Sequence, residues 1–144
     1  GKLKHHKNYW GIKEAGGDVK KMSEYQQISG PGTIFCGDDG LFPEFSNAGA
    51  CGLVSVASNT WPVETSLYVK KCLNKSFDDK ELWTKCANSL FCCSNTIPAK
   101  ALICSEGRIN NETMMHPLAQ TDLKDSNLLT NSSALIRQWY IDNK

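Results

Sequence analysis

"GIKEAGGD", Gly11 to Asp18, decides how this chain is read. An apolar strand of about Asn8–Ala15 runs into a pair of glycines. Asp18 then stands where a helix N-cap accepts a backbone N–H. Val19, Met22 and Ile28 fall on one helical face as far as about Ser29. The same order returns twice. "TIFCG" (33–37) is followed by "DDG" and a short helix carrying Leu41, Phe42, Phe45 and Ala48, with Pro43 in its first turn and Gly49 closing it. "CGLVSVASN", Cys51–Asn59, reads as a third strand, and Thr60 and Pro62 open a helix to about Leu73. Strands alternating with helices at this spacing predict a parallel sheet of βαβ units.

Three such strands, apolar or small on both faces, predict a sheet that either further strands or another chain must complete. The opening "GKLKHHKN" lacks an initiator Met and reads as the basic end of a helix. Both signs lead to the expectation of a portion of a larger domain. From Phe77 onward the pattern is helical. Leu82, Cys86 and Leu90 recur at i, i+4, i+8, "IPAKALICSEG" is a shorter helix stopped at Gly107, and Leu128 to Tyr140 is amphipathic. The expected division is βα units over 1–75 and a helical region over 76–144.

The 144 residues carry a net charge of +1 and are 40% hydrophobic. That balance offers no basic footprint for nucleic acid or an anionic membrane, and no apolar run reaches the length of a bilayer span. Seven cysteines, an odd count without zinc-ribbon spacing, read as buried free thiols in a reducing, cytoplasmic compartment. The N-x-S/T matches at Asn74, Asn111 and Asn131 are of a kind that an asparagine-rich chain produces by chance. His5 and His6 are adjacent and so do not face one ligand from a helix. Asp38-Asp39 reads either as a magnesium site or as a cap for the next helix. Cys92-Cys93 has no histidine placed to activate it. Neither a metal nor a cofactor is expected.

Lys13 is the candidate for chemistry. In an extended strand Tyr9, Gly11, Lys13 and Ala15 share one face, and Trp10, Ile12 and Glu14 the other. With Trp10 and Ile12 packed on helices, Lys13 points away from them, close to the strand's carboxyl end, where α/β barrels gather their active sites. A desolvated lysine there attacks carbonyls to form a Schiff base. A lysine snorkelling at a strand end and pairing with Glu14 or a nearby Asp fits the same pattern.

The order of motifs goes further. "GIKEAGGD" (Gly11–Asp18), "CGDDG" (Cys36–Gly40), "GLVSVASN" (Gly52–Asn59) and "SNTIPAKA" (Ser94–Ala101) closely resemble the C-terminal half of the dihydrodipicolinate synthase family, over nearly the whole chain. The resemblance implies strands six to eight of a (β/α)8 TIM barrel followed by a C-terminal helical region. It implies a pyruvate-dependent class I aldolase that condenses pyruvate with L-aspartate 4-semialdehyde in lysine and diaminopimelate synthesis, as a homo-oligomer. Lys13 becomes the Schiff-base lysine, with Gly37 and Val54 facing the pyruvate-derived adduct and Asn59 supporting the loop above the last strand. Two segments depart from the family pattern, "SNTIP" for a "PNPIP" run and "MHP" (Met115–Pro117) for "RLP". The family's catalytic tyrosine, paired threonines and entrance arginine belong to its first five strands. Tyr9, Tyr25, Tyr68 and Tyr140 do not stand in the tyrosine's motif. A sister aldolase for sialic acid or a 2-keto-3-deoxy sugar acid, or a non-catalytic fragment, are the alternative readings.

Overall fold

The structure, a computed structural model, describes residues 2–144. It divides into two compact units, one running to Ser55 and including Tyr68–Asp78, the other made of Val56–Leu67 and Asp79–Lys144.

In the first unit β1 (Ile12–Glu14), β2 (Ile34–Cys36) and β3 (Gly52–Leu53) form a parallel sheet in that order. Ile12 pairs with Ile34, Lys13 with Phe35 and Glu14 with Cys36, while Phe35 pairs with Gly52. The Asp18 carboxylate accepts from Lys20 N at 3.0 Å, as the cap reading expects. The chain then makes one 3-10 turn, Val19–Lys21, before α1 (Met22–Ser29). Gly30 ends α1 with φ +90, a value that glycine adopts without penalty. After β2 comes α2 (Phe42–Asn47), with Pro43 in its first turn.

Paired residues share a face, so the register sorts the sheet cleanly. Ile34 and Cys36 are fully buried and Glu14 nearly so, together with Met22, Phe42 and Phe45 from the helices. The opposite face carries Lys13, exposed, and Phe35, half-buried. Tyr68 is fully buried beside this core and meets Phe42 and Phe77 edge-on, with ring centroids 5.9 and 4.8 Å away. Such aromatic pairs add to the area they bury.

Three expectations need correction. The third strand was read through Asn59, but the ladder ends with Val54 N donating to Cys36 O at 2.8 Å, and Ala57–Thr60 forms a helical turn, α3. Alternation of small and apolar residues continues past the point where the backbone leaves the sheet. Trp10 does not pack on a helix: it is 73% exposed and meets Phe35 edge-on at 5.3 Å. The regular ladder begins at Ile12, so alternation does not extend back to Trp10. Residues 2–8 form no helix end; their turns are closed by His6 N to Leu3 O and Tyr9 N to His6 O.

Helix α4 (Pro62–Leu73) runs from the second unit into the first. The second unit also holds α5 (Lys80–Ser89), α6 (Ile97–Ser105) and α7 (Asn127–Asn143). Helices α5 and α7 pack through Trp83 and Trp139, edge-on at 5.1 Å, and Trp139 Nε1 donates to Asp79 Oδ2 at 2.7 Å. Gly107 stops α6 with φ +71, as expected. Arg108 donates to the carbonyls of Asn59 and Thr60, satisfying groups that a helix end leaves open. Burial alone would raise the Glu106 carboxyl, but hydrogen bonds from Ser133, Arg137 and Arg108 outweigh it and hold the group below the usual carboxylate range. Within the departing "SNTIP" segment, Thr96 holds φ +97, a strained value for a β-branched residue.

Candidate active site

Lys13 lies in β1, Gly37 directly follows β2 and Val54 directly follows β3. The register lines up Lys13, Phe35 and Gly52; two residues beyond each, alternation returns Ala15, Gly37 and Val54 to the same face. The three residues singled out in the sequence therefore share one face at the carboxyl ends of three parallel strands. This is the end of a parallel sheet at which ligands are bound in barrel enzymes.

The geometry of Gly37 is specific. A Cβ built there would stand 2.7 Å from Lys13 Cε and 2.7 Å from Ala15 Cβ. The missing side chain is the space through which the lysine stem passes. Gly37 N donates to Glu14 O at 2.6 Å, which ties the turn after β2 to the end of β1. Val54 is 45% exposed and offers an apolar surface on this face.

Glu14 is turned to the opposite side. Its Oε1 accepts from Gly16 N. Its hydrogen bond with the Tyr25 phenol, followed by burial and neighbouring negative charge, raises that phenol above its ordinary pKa. The pairing of Lys13 with Glu14, open on the sequence alone, is thereby removed. The lysine itself is exposed on its face.

The N-cap of α2 is Leu41, without a side-chain cap hydrogen bond, which corrects the cap reading; Asp38 instead closes the turn ahead of the helix. Its Oδ1 accepts from Gly40 N at 3.0 Å and Leu41 N at 3.2 Å, leading the chain into α2. Asp39 is 1% exposed; its carboxylate accepts from the Ser55 hydroxyl, and its carbonyl accepts from Tyr68 Oη at 2.7 Å. The sequence offered Asp39 as a cap or magnesium ligand beside Asp38 and did not join it to Ser55 or Tyr68, since no local pattern pairs residues so far apart in the chain. Asn59 is exposed on α3, and its amide donates to Val56 O at 3.1 Å. Among the described residues no cluster of three or more His, Cys, Asp or Glu is arranged to hold a metal.

None of the seven cysteines is in a disulfide; Cys36, Cys72 and Cys86 are buried and Cys92 is exposed. Burial pushes the Cys36 thiol up to about 11 and the Cys72 thiol up to about 12. Both folded values lie above the unfolded one, so the stability they contribute is intact below about pH 9 and is lost as pH rises through 11 to 12. The midpoint of urea unfolding is expected to hold steady from pH 7 to about 8.5 and to fall above it. Replacing both thiols with alanine should flatten that alkaline slope.

The strand order, the helices on one face and the helical tail define the C-terminal part of a (β/α)8 barrel. Residues 1–135 match the dihydrodipicolinate synthetase family, and the chain belongs to it. It is 39% identical over 140 residues to 4-hydroxy-tetrahydrodipicolinate synthase of Francisella philomiragia subsp. philomiragia, covering 96% of this chain and 48% of that protein. It is 38% identical over 137 residues to the enzyme of the same name from Wolbachia pipientis wMel, covering 95% and 47%. Among solved structures, 4-hydroxy-tetrahydrodipicolinate synthase of Methylacidiphilum fumariolicum SolV superposes with a TM-score of 0.82 at 29% identity, over 97% of this chain and 48% of that one. Dihydrodipicolinate synthase of Thermotoga maritima does so with a TM-score of 0.77 at 28% identity, over 92% and 48%. The chain spans about half the length of the curated relatives it matches.

Proposed function

We propose that Lys13 is the Schiff-base nucleophile of a lyase that condenses pyruvate with L-aspartate 4-semialdehyde to 4-hydroxy-tetrahydrodipicolinate, in lysine and diaminopimelate synthesis. This chain is its C-terminal portion. The observation that carries the reading is the shared face of Lys13, Gly37 and Val54 at the carboxyl ends of the sheet. Family membership and the names of the relatives support the substrates.

The unprotonated Nζ of Lys13 attacks the keto carbon of pyruvate, and loss of water leaves an imine. Its cationic nitrogen draws electrons, so the pyruvyl methyl gives up a proton and becomes the nucleophilic end of an enamine. That carbon attacks the aldehyde of the second substrate. The amine of the same substrate then displaces Lys13 from the imine carbon, closes the ring and returns the lysine. Gly37 leaves room for the lysine stem, and Val54 supplies an apolar wall for the pyruvyl carbons. We place the protein in the cytoplasm as a homo-oligomer, acting without a cofactor, nucleic acid or membrane. No described helix is long and apolar enough to cross a membrane.

The test is chemical. Borohydride reduction of the full-length gene product in the presence of pyruvate should add one reduced pyruvyl group to the peptide containing Lys13. Label on another lysine, or on none, overturns the reading. Faster turnover with sialic acid than with aspartate semialdehyde and pyruvate would reassign the electrophile while keeping the lysine.

A further inference from the structure

The site has a support that none of the substrate-facing residues supplies. Gly37 and Val54 both directly follow their strands, each on the last backbone hydrogen bond of the ladder, Gly37 N to Glu14 O and Val54 N to Cys36 O, and beyond them the turns leave the sheet. Asp39 lies two residues past Gly37, and Ser55 directly follows Val54. The Asp39 carboxylate, 1% exposed, accepts from the Ser55 hydroxyl. It therefore joins the turn after β2 to the turn after β3 at the level of the substrate face. The backbone of Asp39 is held in its own right by Tyr68, which is buried and rigidly flanked by Phe42 and Phe77. A buried carboxylate is costly unless it is hydrogen-bonded, so a position this enclosed is kept where it does structural or functional work.

Resting on the Schiff-base reading, we propose that Asp39 and Ser55 act together as positioning residues, holding Gly37 and Val54 at the spacing that the pyruvyl adduct on Lys13 requires. Neither touches the reacting atoms. The chain of effect runs from the carboxylate to the hydroxyl, then through one peptide to Val54, and through two residues to the glycine against which the lysine stem lies. Gly37 and Val54 face the pyruvyl group in this reading, so the pair is expected to act on the pyruvate half of the reaction, which separates it from a general contribution to stability.

The experiment compares steady-state kinetics of the full-length protein with those of Ser55→Ala, Asp39→Ala and the double variant, each first checked for folding by circular dichroism. Loss of a hydrogen bond to a charged group is expected to raise KM for pyruvate about tenfold in Ser55→Ala, with KM for the aldehyde within about twofold. The double variant should match the worse single variant rather than multiply the two, since residues sharing one interaction are not additive. If Asp39→Ala does not fold, Ser55→Ala alone decides. An unchanged pyruvate KM in folded Ser55→Ala, or equal increases for both substrates, overturns the proposal. Borohydride trapping on the unsubstituted protein is run alongside. A trapped adduct with unchanged pyruvate KM rejects the pair and keeps Lys13, whereas no adduct rejects both.

Discussion

Replacing Lys13 with alanine is expected to lower kcat by roughly 10⁴- to 10⁶-fold, the range that removing a covalent nucleophile costs. The side chain is exposed, so the folded state should change in stability by no more than about 0.5 kcal/mol. Lys13→Arg is the sharper variant. It keeps a positive charge at the same place, but a guanidinium stays protonated and does not attack a carbonyl. If Lys13 served only to attract a carboxylate, arginine would retain much of the rate. If it forms the imine, both variants fall together and neither is labelled by pyruvate and borohydride. Steady-state rates and adduct mass measured on the same preparations separate the two. Retention of more than about a tenth of the rate in Lys13→Arg would end the nucleophile assignment.

The second large effect is expected at Gly37. An alanine there places its methyl carbon 2.7 Å from Lys13 Cε and 2.7 Å from Ala15 Cβ. Carbon atoms do not approach so closely, and the two neighbours differ in how they yield. The end of the lysine swings aside, whereas Ala15 is fixed to its backbone. Moving the lysine leaves the Ala15 contact in place, so the backbone at the ends of β1 and β2 must shift as well, and the ammonium is displaced by on the order of 1 Å. A misplacement of that size in a reacting group costs on the order of 10²-fold in rate. The accompanying overpacking costs about 1–3 kcal/mol of stability, readable as a shift in urea midpoint. Single-turnover trapping of the pyruvyl adduct is the direct measurement. An unchanged trapping rate would show that the stem finds another path to the same place.

Much of this could be read from the residues alone, for local reasons. Gly-Gly-Asp after a strand specifies a turn and a cap within a few residues, and the Asp18 bond to Lys20 N answers that expectation. The turn that Asp38 closes on Gly40 N and Leu41 N is equally local. Errors came where geometry depends on distant partners. Alternation over Val54 to Asn59 could not reveal that the ladder ends at Cys36 O, since the ending depends on another strand. The same is true of Trp10, whose neighbour Phe35 lies beyond a whole helix. Asp39 next to Asp38 looked like its twin. The difference between them, one closing a local turn and the other joined to Ser55, rests on a residue sixteen positions away.

The three-residue length of β1 has a chemical corollary. Lys13 and Glu14 are neighbours in sequence, and strand geometry sends them to opposite sides of the sheet. Sliding β1 against β2 by a single residue would bring a carboxylate to the face where the ammonium now stands. The pairing of Lys13 with Phe35 thus chooses the polarity of the reaction surface, electron-pair donor or anion, before any substrate arrives. In this sheet, hydrogen-bond register is a decision about reactivity.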